Sequence, residues 1–163
     1  MNANNAIPVT GSVMRSQPWP PDTRLFASLP LRGSLELDAT DTAPRAARRW
    51  IAKLLPEWSL SEFEEVALLV ASELVTNAVV ATCAVAWTSP SPPVGLWLRG
   101  GLGALAVLVW DASLMVPVAR ETAAEDESGR GLAIVATLSS ACGFYYPHQQ
   151  YGGKVTWAII GSP

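Results

Sequence analysis

The sequence predicts an α+β domain, a two-layer sandwich in which helices cover one face of a mixed, mostly antiparallel sheet. Three observations predict it. Apolar periodicities run in the order strand, two helices, two strands, helix, two strands, which suits helices gathered on one side of a sheet. The chain has 163 residues, half of them hydrophobic and 15% charged, enough to bury the core of one such domain. Residues 104–111 include Leu105, Val107, Leu108, Val109 and Trp110, a near-continuous apolar run expected of a central strand.

Each element has its own signal. Residues 1–22 are polar and proline-rich, with Pro18, Pro20 and Pro21 near the end, and read as a mobile tail ahead of a domain over 23–163. In residues 34–39, Leu35 and Leu37 alternate with Glu36 and Asp38, the pattern of a half-exposed strand. Thr42 as N-cap and Pro44 in the first turn open a helix to about Leu55, with Ala46, Trp50 and Leu54 at helical spacing and Pro56 as its stop. Ser61 and Glu64 match a capping box. The helix they open runs to about Ala84 and faces the core with Phe63, Val66, Ala67, Val70, Leu74 and Ala78.

After a proline-rich loop over 88–93, strands are expected at 94–99 and 104–111 around a glycine turn. Pro117 and the acidic patch Glu125, Asp126, Glu127 follow, with weak helical signal. A short apolar helix over 132–138 and strands at 143–146 and 155–160, around the Gly152-Gly153 turn, complete the order.

Composition narrows the function classes. The net charge of −3 and a pI near 5.1 argue against a nucleic-acid footprint. Arg45, Arg48 and Arg49 form the only basic cluster and read as a solvated helix face. Cys83 and Cys142 are isolated, so neither a zinc site nor a disulfide framework is implied. No apolar run is expected to cross a bilayer, and the N-terminal residues lack a signal-peptide layout. A cytoplasmic protein without membrane contact is the expectation.

Against this background, Glu73 and Asn77 stand out. They lie inside an otherwise apolar stretch, 66–80, and their four-residue spacing puts them one turn apart on the same flank of a helix, in line with Leu69. A carboxylate on such a helix calls for a partner, and the pair suggests a bound cation or a proton-transfer site. Asp111 ends an apolar strand where the chain breaks into loop, a position from which a carboxylate can accept a hydrogen bond from a ligand. Gly129 and Gly131 flank Arg130 just before Leu132; glycines ahead of a helix let backbone N–H groups approach a phosphate. Lys154 follows a glycine turn and reads equally as a surface lysine or a phosphate ligand. His148, the only histidine, sits in a polar loop and receives no role.

At these residues the chain resembles the GHKL ATPase superfamily, and within it the small bacterial regulators related to anti-sigma-factor serine kinases, most of all their orphan actinobacterial type. Glu73-Leu-Val-Thr-Asn77-Ala78 is similar to the family's N-box. Leu108-Val-Trp-Asp111-Ala-Ser113 resembles its adenine-recognising box, Glu127-Ser-Gly-Arg-Gly-Leu132 its phosphate-binding glycine box, and Gly152-Gly-Lys154-Val-Thr-Trp157 its closing strand. These ordered boxes span roughly residues 34–160, a more specific signal than any lone glycine motif.

The resemblance implies a domain binding ATP and Mg²⁺. Asn77 would be the metal ligand and Glu73 the catalytic group that orients or deprotonates water or a partner's serine. Asp111, with Ser113 in its box, would take the adenine amino group. Gly129, Arg130, Gly131 and Leu132 would form the phosphate loop. The implied partner is a sigma factor or an anti-anti-sigma-type regulator, and a homodimer is compatible. The chain departs from the family after Asp111, where Ala112, Ser113, Leu114 and Met115 replace the glycines of strongly catalytic members. It also has Val79, Val80, Ala81 and Thr82 where a basic residue often follows the N-box. The alternative is therefore a catalytically weak interaction module that keeps the fold and sequesters a partner without phosphotransfer.

Overall fold

In the computed structural model, which describes residues 28–86, 92–101, 103–117, 131–147 and 152–162, the alternating segment near the N-terminal side forms strand β1 (Leu31–Asp38). Leu37 is buried and Leu31 and Leu35 are half-buried, while Arg32, Ser34, Glu36 and Asp38 face out, as the alternation requires. Gly33 is the close-approach point for the first helix: a Cβ there would stand 2.7 Å from Leu54 Cδ2 and 3.0 Å from Trp50 Cζ2.

That helix, α1, spans Ala43–Glu57 with Pro44 in its first turn. Three details differ from expectation. Thr42 holds the N-cap position but makes no side-chain cap bond; its hydroxyl pairs with that of Thr40 at 2.9 Å instead. Ala43, Ala47, Ile51 and Leu55 are the buried face, while Ala46 is exposed and Trp50 and Leu54 lie half-buried beside β1. The two series sit one residue apart around the helix, so its apolar arc admits either as its centre. Pro56 lies inside the last turn rather than ending the helix. The stop is Ser59, whose φ of +58° reverses the chain. Leu60 N–H then bonds Leu55 O at 2.9 Å and Ser59 N–H bonds Pro56 O at 3.1 Å, the bond pair of a Schellman closure. A proline so close to that closure forfeits only one backbone bond.

A 3₁₀ turn over Ser61–Phe63 leads into α2 (Glu64–Cys83), and neither has a side-chain cap. The capping box therefore does not form, because the 3₁₀ turn makes Leu60 the N-cap and Ser61 its first member. Ala67, Val70, Ala71, Leu74, Val75, Ala78 and Thr82 form the buried face, with Phe63 and Val66 packed at its margin. The stretch Ser61–Cys83 is long and apolar enough, by length and composition alone, to cross a membrane, contrary to the expectation from the sequence. In the fold it is the central core helix, packed on α1 and on the sheet.

Strands β2 (Pro93–Gly101), β3 (Ala104–Asp111), β4 (Ala141–Tyr145) and β5 (Lys154–Gly161) join β1 in the order β1-β2-β3-β5-β4. All four pairings are antiparallel, so the sheet contains no parallel ladder among the described residues. β3 is central, as its apolar run predicts. Helix α3 (Gly131–Leu138) connects β3 to the edge strand β4. The main core lies between the helices and the inward residues of the sheet, such as Leu96, Leu105, Val107, Phe144 and Ala158. A second buried cluster, including Ala106, Leu108, Trp157 and Ile159, occupies the opposite face, which is why β3 and β5 read as continuous rather than alternating. Arg45, Arg48 and Arg49 are exposed as expected, with Arg48 donating to Ser72 Oγ on α2 at 3.0 Å. Both cysteines are free.

Candidate functional site

Two polar clusters interrupt the apolar packing around α2. The first joins α2 to the start of α3. Glu73 and Asn77 lie half-buried on the flank of α2, and the exposed Leu69 continues their line. Gly131, the first residue of α3, sits directly against them. A Cβ at 131 would run into Glu73 Oε2 and would stand 3.6 Å from Asn77 Nδ2. A side chain at 131 would therefore displace the Glu73 carboxylate from its place beside the start of α3. Asn77 Nδ2 is buried and lacks a hydrogen-bond partner among the described residues. Turning the amide about its last bond places a carbonyl oxygen there, a hard donor of the kind Mg²⁺ takes.

Among the described residues, no group of three or more His, Cys, Asp or Glu side chains is placed to hold a metal. A protein-made cage is thus absent from the described part. A single oxygen donor fits Mg²⁺, which keeps waters and binds mainly through substrate phosphates.

The second cluster lies at the end of β3. Asp111 is 3% exposed and faces the helix side of the sheet. Its Oδ1 accepts from Ser113 N–H at 2.9 Å and from Lys154 Nζ at 2.7 Å, and Lys154 also reaches Ser113 O at 3.4 Å. Lys154 is the cross-strand partner of Asp111 and is itself 4% exposed. It is therefore not a surface lysine but half of a buried ion pair. Burial pushes the Asp111 carboxyl above its ordinary value, and the Lys154 ammonium and Ser113 N–H pull it back only in part. Ala112 N–H bonds the hydroxyl of the fully buried Thr82 at 3.2 Å, tying this loop to the last turn of α2. Beyond it, Leu114, Met115 and Val116 are exposed.

The backbone around Asp111 is constrained from the other side by Gly153, whose φ is +69°. A Cβ there would strike Asp111 O and stand 2.8 Å from Trp110 Nε1, and that indole donates to Gly152 O at 3.2 Å. Gly153→Ala is expected to cost about 1–3 kcal/mol from the left-handed backbone and the contact with a carbonyl that cannot swing away. A thermal melt checks it; an unchanged midpoint would contradict the packing.

Of the residues singled out in the sequence, Glu73, Asn77 and Gly131 come together in one cluster, and Asp111 and Ser113 in the other. Leu132 is 7% exposed and packs in the main core. Gly129, Arg130 and His148, like the tail over 1–22, lie outside the described residues. Sequence reasoning missed Thr82 and the position of Lys154. Both had a readable signal. Thr82 continues the buried series Ala71, Leu74, Val75 and Ala78 on α2, where a hydroxyl needs a partner. Lys154 shares strand parity with Thr156, Ala158 and Ile160, all buried on the helix side.

A protein-family model described as a histidine kinase-like ATPase domain matches residues 36–160. No curated protein matches the chain.

Proposed function

We propose that this chain, which belongs to the family of histidine kinase-like ATPase domains, binds Mg·ATP and regulates a protein partner in the manner of an anti-sigma-factor serine kinase. The observation that carries this reading is the meeting of Glu73 and Asn77 with the backbone of Gly131. A carboxylate, an orphaned amide and a helix-opening glycine converge there, and the N–H groups at the start of α3 favour a phosphate. Asn77 would hold Mg²⁺, which when bound neutralises phosphate charge. Glu73 would orient the attacking hydroxyl, of water or of a serine on the partner, and accept its proton. Gly129, Arg130 and Gly131 would line the phosphates. Asp111 would accept the adenine amino group on its Oδ2, since both of its hydrogen bonds fall on Oδ1. The partner would be a sigma factor or an anti-anti-sigma-type regulator met in the cytoplasm.

A second reading has its own support. Lys154 already satisfies one oxygen of Asp111, and exposed apolar side chains follow that acid in the chain. Both features suit an interaction module that binds nucleotide weakly and sequesters its partner. Titration calorimetry with Mg·ATP tests the nucleotide claim, with Trp110, next to Asp111, as a fluorescence reporter. Saturable binding is expected, and silence at millimolar ATP would defeat the claim. Binding without phosphate transfer to a partner or to water would favour the module.

A further inference from the structure

We propose that Lys154 reads the nucleobase: its ammonium, anchored on Asp111, donates a hydrogen bond to ring nitrogen N1 of adenine while Asp111 Oδ2 accepts from the neighbouring 6-amino group. The proposal rests on the ATP-binding reading above and adds the residue that reads the second atom of the base edge. An ammonium has three N–H donors. Lys154 directs one at Asp111 Oδ1, 2.7 Å away, and a second at Ser113 O, a long contact at 3.4 Å. The third has no partner among the described residues, and neither does Asp111 Oδ2. The side chains of the pair are each 4% exposed, and Asp111 Oδ2 is not among the fully buried side-chain atoms that lack a partner, so it keeps a small accessible surface at which a ligand donor can meet it.

A donor beside an acceptor complements the adenine edge, where an amino donor adjoins the N1 acceptor. Guanine presents a carbonyl acceptor and an N–H donor in the opposite order, so a pair fixed in place matches one polarity. The pair is fixed. Asp111 and Lys154 are directly opposed in the β3–β5 register, Ser113 N–H pins the carboxylate, and burial removes the rotamer freedom of the lysine. A site built from hydrogen-bonding groups in this way rejects a ligand that lacks the matching atom, because its own groups are then left unpaired.

The test removes the atom from the ligand rather than from the protein. Calorimetry on the wild-type chain with Mg²⁺ compares ATP with 1-deaza-ATP, which keeps the amino group, sugar and triphosphate but has C–H in place of N1. Binding of the analogue is expected to be roughly 10- to 100-fold weaker. Lys154→Met is expected to bind both nucleotides equally. Equal affinity in the wild type overturns the role of Lys154 and leaves the ATP reading standing. Absence of ATP binding in the wild type overturns that reading first, and this proposal with it. Persistent discrimination in Lys154→Met would assign N1 to another group and also overturns the proposal. The ligand comparison needs no variant, so a misfolded substitution cannot obscure the result.

Discussion

Lys154→Met is expected to destabilise the domain by about 3–5 kcal/mol, because it leaves the Asp111 carboxylate buried without its counter-ion. Both side chains are 4% exposed, so solvent cannot take over the role of the lost ammonium. Methionine keeps most of the aliphatic stem, which confines the loss to the charge. For a domain of this size, a thermal melt should read it as a fall of roughly 6–20 °C. The double variant Asp111→Leu/Lys154→Met should recover most of that loss, since a buried pair replaced by apolar groups of similar volume is often neutral. A double variant no more stable than the single one would show that the ion pair is not the cause.

The pH dependence carries the same argument with a definite sign. The Asp111 carboxyl is raised from an ordinary value of 3.8, with burial as the largest cause. A raised acid binds its proton more tightly folded than unfolded. The stability this group contributes is therefore fully present below 3.8 and declines as pH climbs through the raised value. Without Lys154 the value rises further, so the deficit of Lys154→Met should be larger at pH 8 than at pH 4. Melts of both proteins at the two pH values check it, and a deficit that shrinks with rising pH would contradict the assignment. Asp111→Asn, the obvious variant for testing base recognition, strands the lysine in the same way. Loss of ATP binding in that variant would mix a lost contact with a damaged fold, which is why a modified nucleotide gives the cleaner answer.

Much of this fold was legible because the signals were periodic. The alternation of β1, the apolar run of β3 and the core face of α2 all depend on spacing that one element dictates for itself, and each lies where its pattern implies. Helix α1 shows the limit. Its apolar arc is wide enough that Ala46-Trp50-Leu54 and Ala47-Ile51-Leu55 are equally good stripes in isolation, and packing into the main core against α2 and the sheet chooses the second. Ser59 is harder still, since a non-glycine residue in the left-handed turn gives no compositional warning. The Lys154–Asp111 pair depends on the register between β3 and β5. Strand parity announces that Lys154 points inward, but which acid it meets belongs to the pairing of two strands far apart in the chain. The meeting of Glu73 with Gly131 is of the same kind: each was marked by its own motif, and only the packing of α3 on α2 joins them.

Glu73→Gln should separate binding from chemistry at that junction. Glutamine has the shape of glutamate, so it can occupy the same space against the Gly131 backbone and leave Asn77 and the start of α3 undisturbed. Mg·ATP affinity is then expected to hold within about threefold, which is about 0.65 kcal/mol. What glutamine cannot do is accept a proton. Transfer of phosphate to a serine or to water should fall by about 10²–10⁴-fold, the usual contribution of a positioned base. Labelled ATP measures the transfer and calorimetry the affinity. Turnover kept above half would remove Glu73 from the chemistry, whereas affinity and turnover falling by the same factor would make it a wall of the pocket. Glu73→Ala cannot draw this line, because it removes the carboxylate and its packing beside Gly131 together.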